Sequence, residues 1–181
     1  VGHPDQEPNP ELSRIFIQAS HQVERLFQQR GYRRIESNVK KDQAQKVSKK
    51  DIFKELTLAR ELPHEATFVF TYIGHGSSKG ELCLKDNERL HAKELYAHLA
   101  QIEAKKIIIL NGCYTGKFLD TPIPSRTKVI TAASADQVAY GSNLIDALCR
   151  EMKYGKDLGM MSKTDLQGHV WGSNPQGLST P

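Results

Sequence analysis

At 181 residues, with 38% hydrophobic and 25% charged side chains, the chain is long enough for one domain with a sizeable core and too apolar to be disordered. A net charge of +4 and a pI near 8.9 are too mild to argue for nucleic acid without a basic patch, and no apolar run approaches the roughly 20 residues of a membrane span. Three cysteines, an odd count with no paired spacing, fit a reducing, cytoplasmic compartment better than a disulfide framework.

The opening Val1-Gly2-His3-Pro4 reads as the exit of a strand whose body lies upstream. The chain is therefore expected to be a piece of a longer one, and its start does not read as a secretory leader. Pro4, Pro8 and Pro10 make residues 1–11 a loop. From Leu12 to Gln29, Leu12, Ile15, Phe16, Ala19, Val23, Leu26 and Phe27 recur at three- and four-residue steps, which predicts a helix with Gly31 at its C-terminal cap. Tyr32–Val39 alternates weakly through several charges and predicts a strand near a sheet edge. Lys40–Lys50 is Lys-rich but has no interleaved aromatics. It reads as a solvated loop and helix start rather than as an anion patch. Asp51–Leu62 predicts a helix stopped by Pro63.

Thr67–Ile73 is β-branched and aromatic, apolar on both faces, and empties into Gly74-His75-Gly76. That is the pattern of a buried parallel strand. Gly80–Lys85 reads as one arm of a hairpin closed by Asp86-Asn87-Glu88, and His91–Ile102 as a helix. Lys106–Leu110 is a second buried strand, which empties into Asn111-Gly112-Cys113-Tyr114-Thr115-Gly116. Pro122, Pro124 and Ser125 mark a surface loop, Thr127–Ala133 a further strand, and Asn143–Met152 a helix. Beyond Tyr154 no firm element is predicted. Strand and helix patterns alternate, which predicts an α/β domain on a mostly parallel sheet spanning 1–181, without repeats.

Ligands of open α/β sheets gather beyond the carboxyl ends of the strands, and there the sequence puts its reactive groups. Gly74 and Gly76 let the backbone turn sharply around His75. Cys113 lies past its strand in a polar turn, which suits an accessible thiolate. Cys83, between Leu82 and Leu84, and Cys149, after Leu148, lie within apolar patterns and read as packing. Two consecutive buried strands, each closing on a Gly-flanked reactive side chain, predict a Cys/His pair on one rim. The remaining histidines lack ligand spacing, so no metal or cofactor is expected. His91 and His98, one heptad apart, read as a solvated helix face. Neither GxGxxG nor GxxxxGK[ST] occurs, which speaks against a nucleotide-binding domain.

This order (apolar strand, His75-Gly76, short hairpin, helix, apolar strand, Cys113 with small neighbours) resembles the caspase/legumain superfamily of cysteine endopeptidases. That group includes caspases, metacaspases, legumain-like proteases and CHAT modules. The resemblance covers roughly residues 12–150 and implies a three-layer α/β/α sandwich with a mostly parallel central sheet. It also implies a first strand preceding Val1. His75 and Cys113 match the family's catalytic pair, which leaves the amides of Gly76 and Cys113 to hold the oxyanion. Val129–Gln137, with Ser134 and Asp136, resembles the segment bordering the substrate cleft. Asn111, two before the nucleophile, would line the pocket for the P1 side chain, with Arg14 as its candidate cationic partner. An amide and an Arg favour a non-basic P1, whereas Asp136 in the same pocket would favour a basic one. Trp171 is either a subsite wall or a core plug. The implied partners are a protein or peptide substrate and an upstream regulatory domain or partner chain, with no nucleic acid and no membrane. A catalytically silent relative serving as an interaction module is the alternative.

Overall fold

The structure, a computed structural model, describes residues 10–35, 47–162 and 176–179. In chain order its main elements are α1 (Pro10–Gln29), α2 (Lys49–Leu58), β1 (Thr67–Ile73), β2 (Glu81–Cys83), β3 (Arg89–His91), α3 (Ala92–Leu99), β4 (Lys105–Asn111), β5 (Thr127–Thr131), α4 (Asn143–Lys153) and β6 (Gln176–Ser179). The sheet has the order β1-β4-β5-β6. The pairs β1/β4 and β4/β5 are parallel, and β6 adds antiparallel to β5. β2 and β3 form a separate antiparallel hairpin.

Successive strand residues face opposite sides, and β4 shows the result. Ile107 and Ile109 pack with Phe16, Ala19 and Val23 of α1 and with Leu144, Ile145 and Leu148 of α4. Ile108 and Leu110 pack with Ile52 and Leu56 of α2 and with Leu95, Tyr96 and Leu99 of α3. Two cores therefore sandwich one sheet, giving the three-layer α/β/α architecture with a mostly parallel sheet. Each fully buried Leu or Ile contributes roughly 1.5–3 kcal/mol. Burial on both faces explains why the strands read as unbroken apolar runs.

Local chemistry sets the boundaries. Ser48 caps α2 through a reciprocal box with Asp51. A 3-10 turn over Ala59–Glu61 replaces the last turn of the helix predicted to run to Leu62. α1 ends in a Schellman motif: the Gly31 N–H donates to Gln28 and the Tyr32 N–H to Phe27, with the Phe27 and Tyr32 rings 5.4 Å apart. That cap corrects one expectation. Tyr32 folds back onto α1, and residues 32–35 carry no strand, whereas a strand over Tyr32–Val39 was expected. Residues 36–46, the rest of that strand and most of the Lys-rich stretch, lie outside the described residues.

Two further corrections concern the histidine pair and the tail. His98 does not face solvent with His91. Its ring stacks on Phe53 at 4.0 Å, between α3 and α2. After Tyr154, where no element was expected, a 3-10 turn at Leu158–Met160 and strand β6 occur. Trp171 lies outside the described residues. The edge of β1 away from β4 carries no strand among the described residues. It borders a cavity of about 840 Å³ lined by β1 itself and by Val23, Phe27, Ile52 and Leu56. No helix among the described residues is long and apolar enough to cross a membrane.

Candidate active site

The parallel register sets the site. Ile73 pairs with Asn111, and the Gly74 N–H donates to the Asn111 carbonyl at 3.0 Å, the last rung of the ladder. Two residues beyond each partner stand His75 and Cys113. The chains stay in contact past the ladder, which requires glycine. A Cβ on Gly76 would lie 1.9 Å from the Cys113 carbonyl oxygen, and one on Gly112 would lie 2.9 Å from the Gly74 carbonyl oxygen.

Both side chains lie toward the α1/α4 side of the sheet. The imidazole of His75 meets the ring of Phe16 on α1 edge-on, at 5.3 Å. The sulfur of Cys113 meets the backbone of Ala139, a residue packed on the same α1/α4 core. The Ala139 N–H donates to Sγ at 3.4 Å, and the thiol donates to the Ala139 carbonyl at 3.7 Å. Cys113 is partly exposed rather than buried. The structure thus brings the imidazole and the thiol to one rim and one side of the sheet.

Each loop is braced from below. The hydroxyl of Tyr72, in the other core, lies 2.7 Å from the His75 carbonyl and 2.8 Å from the Cys83 carbonyl, sharing one proton between them. Burial pushes that phenol well above its ordinary pKa, so it stays a donor. Gly76 bridges Leu82 in an antiparallel pair, made by the Ser77 N–H to Glu81 and the Cys83 N–H to His75. Those bonds use the amides of Ser77 and Cys83 and leave out that of Gly76. Among the described residues neither the Gly76 nor the Cys113 amide donates to a backbone carbonyl.

On the other loop, Thr115 is buried, and its hydroxyl donates to the carbonyls of Gly112 and Leu110. Tyr114 takes a left-handed φ of 56°, an uncommon conformation for a residue with a side chain. Its N–H is held by the Gln137 carbonyl at 2.8 Å. Gly116 admits the Ser134–Ala135 backbone, which lies 2.5 Å from where its Cβ would be.

The model of the peptidase C13 family matches residues 57–165, a span that contains both loops and the strands that carry them. The chain belongs to the peptidase C13 family. No curated protein matches it. Membership supports the caspase/legumain resemblance and a cysteine-peptidase type of function in general.

Around the rim of this C13 domain the remaining predicted residues take different places. Asn111 is 1% exposed. Its Nδ2 donates to the Gly141 carbonyl at 2.9 Å, and its Oδ1 is buried without a donor among the described residues. It therefore ties the end of β4 to the loop that also holds the Cys113 sulfur. Arg14 is 70% exposed near the start of α1, with Glu11 4.0 Å away. Its neighbour Ile15, not Arg14 itself, comes within 3.9 Å of a Cβ position on Gly141. Ser134 donates to Asp136 at 2.9 Å, closing a polar turn beside Gly116.

Two contributors escaped the sequence reading. Ala139 acts through its backbone, which leaves no side-chain signal. Tyr72 did leave one, because a phenol inside a buried apolar strand must find a hydrogen-bond partner. The other thiols are set apart by their surroundings. Burial raises the Cys83 pKa, and burial followed by the charge of Asp146 pushes Cys149 up to about 11. Both are disfavoured as thiolates near neutral pH.

Proposed function

We propose that this domain is a cysteine endopeptidase that hydrolyses peptide bonds with Cys113 as nucleophile and His75 as its acid and base. His75 takes the thiol proton as the Cys113 sulfur attacks the carbonyl carbon. The oxyanion is held by the amides of Gly76 and Cys113, where loss of one donor typically costs about 10²–10³ in rate. The C–N bond then breaks, His75 passes its proton to the departing amine, and a thioester remains on Cys113. Water, deprotonated by His75, attacks the thioester and releases the carboxylate and the thiol.

The observation that carries this reading is the Ile73/Asn111 register, with His75 and Cys113 two residues past it. For specificity we propose a non-basic P1. The candidate cationic partner Arg14, 70% exposed, supports it, since a guanidinium pairs with an acidic or neutral side chain and repels a basic one. The same reading places the protein among cytoplasmic peptidases acting on protein or peptide substrates. It also gives the domain a regulatory domain or a partner chain that controls its activity.

The test is cleavage of a random peptide library by the wild type and by Cys113→Ala. Cleavage by the wild type alone, from two proteins that melt alike, supports the reading. Equal cleavage by a folded Cys113→Ala variant excludes Cys113 as nucleophile. A wild type that cleaves nothing favours the silent interaction module.

A further inference from the structure

Lys117 belongs to neither catalytic loop, yet it joins them. It sits four residues after Cys113 in the 3-10 turn Thr115–Asp120, and its own N–H donates back to the Tyr114 carbonyl at 3.1 Å. Its Nζ reaches across to the other loop and donates to the Ser78 carbonyl at 2.7 Å. Its stem lies over Gly80, whose Cβ, if present, would stand 2.5 Å from Lys117 Cβ and 2.9 Å from Cδ. Gly80 has a φ of +78°, so glycine fits there in conformation as well as in space.

Ser78 and Gly80 belong to the turn that continues directly from His75-Gly76-Ser77. That turn is closed on itself by the Gly80 N–H to Ser77 and by the Ser77 N–H to Glu81. The Ser77 hydroxyl donates to the Glu81 carboxylate at 2.7 Å. Lys117 is a side-chain tether from this closed turn to the segment carrying Cys113. An ammonium donating to a carbonyl is a charge-assisted bond, stronger than a neutral one.

We propose that Lys117 is a positioning residue that holds the His75 loop in register with the Cys113 loop. The role rests on the reading of these two residues as the catalytic pair. Misplacing a catalytic group by about 1 Å can cost about 10²-fold in rate, so partial release of this tether is expected to lower kcat substantially.

Lys117→Met keeps the stem over Gly80 and removes only the donor, and Lys117→Arg restores a cationic donor. For Lys117→Met we expect kcat to fall about tenfold, with KM and thermal midpoint close to wild type. The rate of Cys113 alkylation by iodoacetamide near neutral pH should fall with it, and Lys117→Arg should recover most of both losses. A Met variant with wild-type kcat and alkylation overturns the proposal. So does a loss shared by kcat, KM and thermal midpoint that Arg does not recover, since that marks simple destabilisation. A wild type without Cys113-dependent turnover overturns the catalytic-pair reading itself, a result distinguishable from either.

Discussion

Gly76 and Cys113 approach so closely that a Cβ on the glycine would lie 1.9 Å from the cysteine's carbonyl oxygen, 2.9 Å from its carbonyl carbon and 3.3 Å from its nitrogen. No rotamer can relieve a clash between backbone atoms. Gly76→Ala is therefore expected to push the two loops apart. Overpacking of this kind costs roughly 1–3 kcal/mol, and the displacement should lower kcat by about 10²-fold or more. Thermal unfolding and steady-state kinetics check the two effects separately. A Gly76→Ala enzyme with wild-type kcat contradicts the placement of these loops.

Tyr72→Phe removes the hydroxyl that serves the His75 and Cys83 carbonyls without changing the ring's packing among Phe68, Leu82 and Leu110. Loss of a buried hydrogen bond with an acceptor left behind costs about 1–3 kcal/mol. The expected result is a lower urea midpoint together with a several-fold lower kcat, since the unsupported carbonyl is that of His75. An unchanged midpoint would show that the hydroxyl carries no net stability.

Alkaline stability follows from the thiols. Cys149 has an ordinary value of 9.0 and is pushed up to about 11, by burial first and then by the charge of Asp146. Its folded-state pKa is raised, so its contribution is fully present below the unfolded value and is lost as pH rises through the folded one. Between about pH 9 and pH 11 the unfolded chain releases a proton that the folded chain keeps, and stability falls. Cys83, raised in the same direction by burial, adds to the slope. Cys149 is only half-buried, and solvent screening reduces the effect. Urea midpoints measured from pH 8 to 11 should decline, and Cys149→Ala should decline less steeply.

P1 selection is expected to favour acidic or neutral side chains over Arg or Lys. Asn111→Asp, which replaces the bond to the Gly141 carbonyl with a charge, should shift that preference toward basic residues while weakening the fold. Cleavage-site profiles of the two proteins provide the comparison. Basic preference in the wild type contradicts the proposed pocket.

The sheet and the paired loops were legible because burial on both faces writes itself as continuous apolar runs, and because Gly76 and Gly112 mark the places where backbones nearly touch. Helix α4 and hairpin β2/β3 were legible for the same reason, since periodicity and turn residues agreed. Strand β6 was not. It is four residues, Gln176–Ser179, and it forms by pairing with β5 rather than by any pattern of its own. Tyr32 was misjudged because a Schellman cap and an edge strand both accept an aromatic after glycine, and tertiary contact with Phe27 decided between them. The clasp of Ala139 on the Cys113 sulfur was hidden because it uses only main-chain atoms. The link from Lys117 to Ser78 was hidden because it spans 39 residues.

The most direct measurement is to treat the protein with a thiol-reactive peptide-ketone inhibitor and locate the adduct by mass spectrometry, in the wild type and in His75→Ala. The account predicts a single adduct on Cys113 in the wild type, formed far more slowly when His75 is replaced, with Cys83 and Cys149 unmodified. Labelling that spreads over the three thiols, or that reaches Cys113 equally fast without His75, would contradict it.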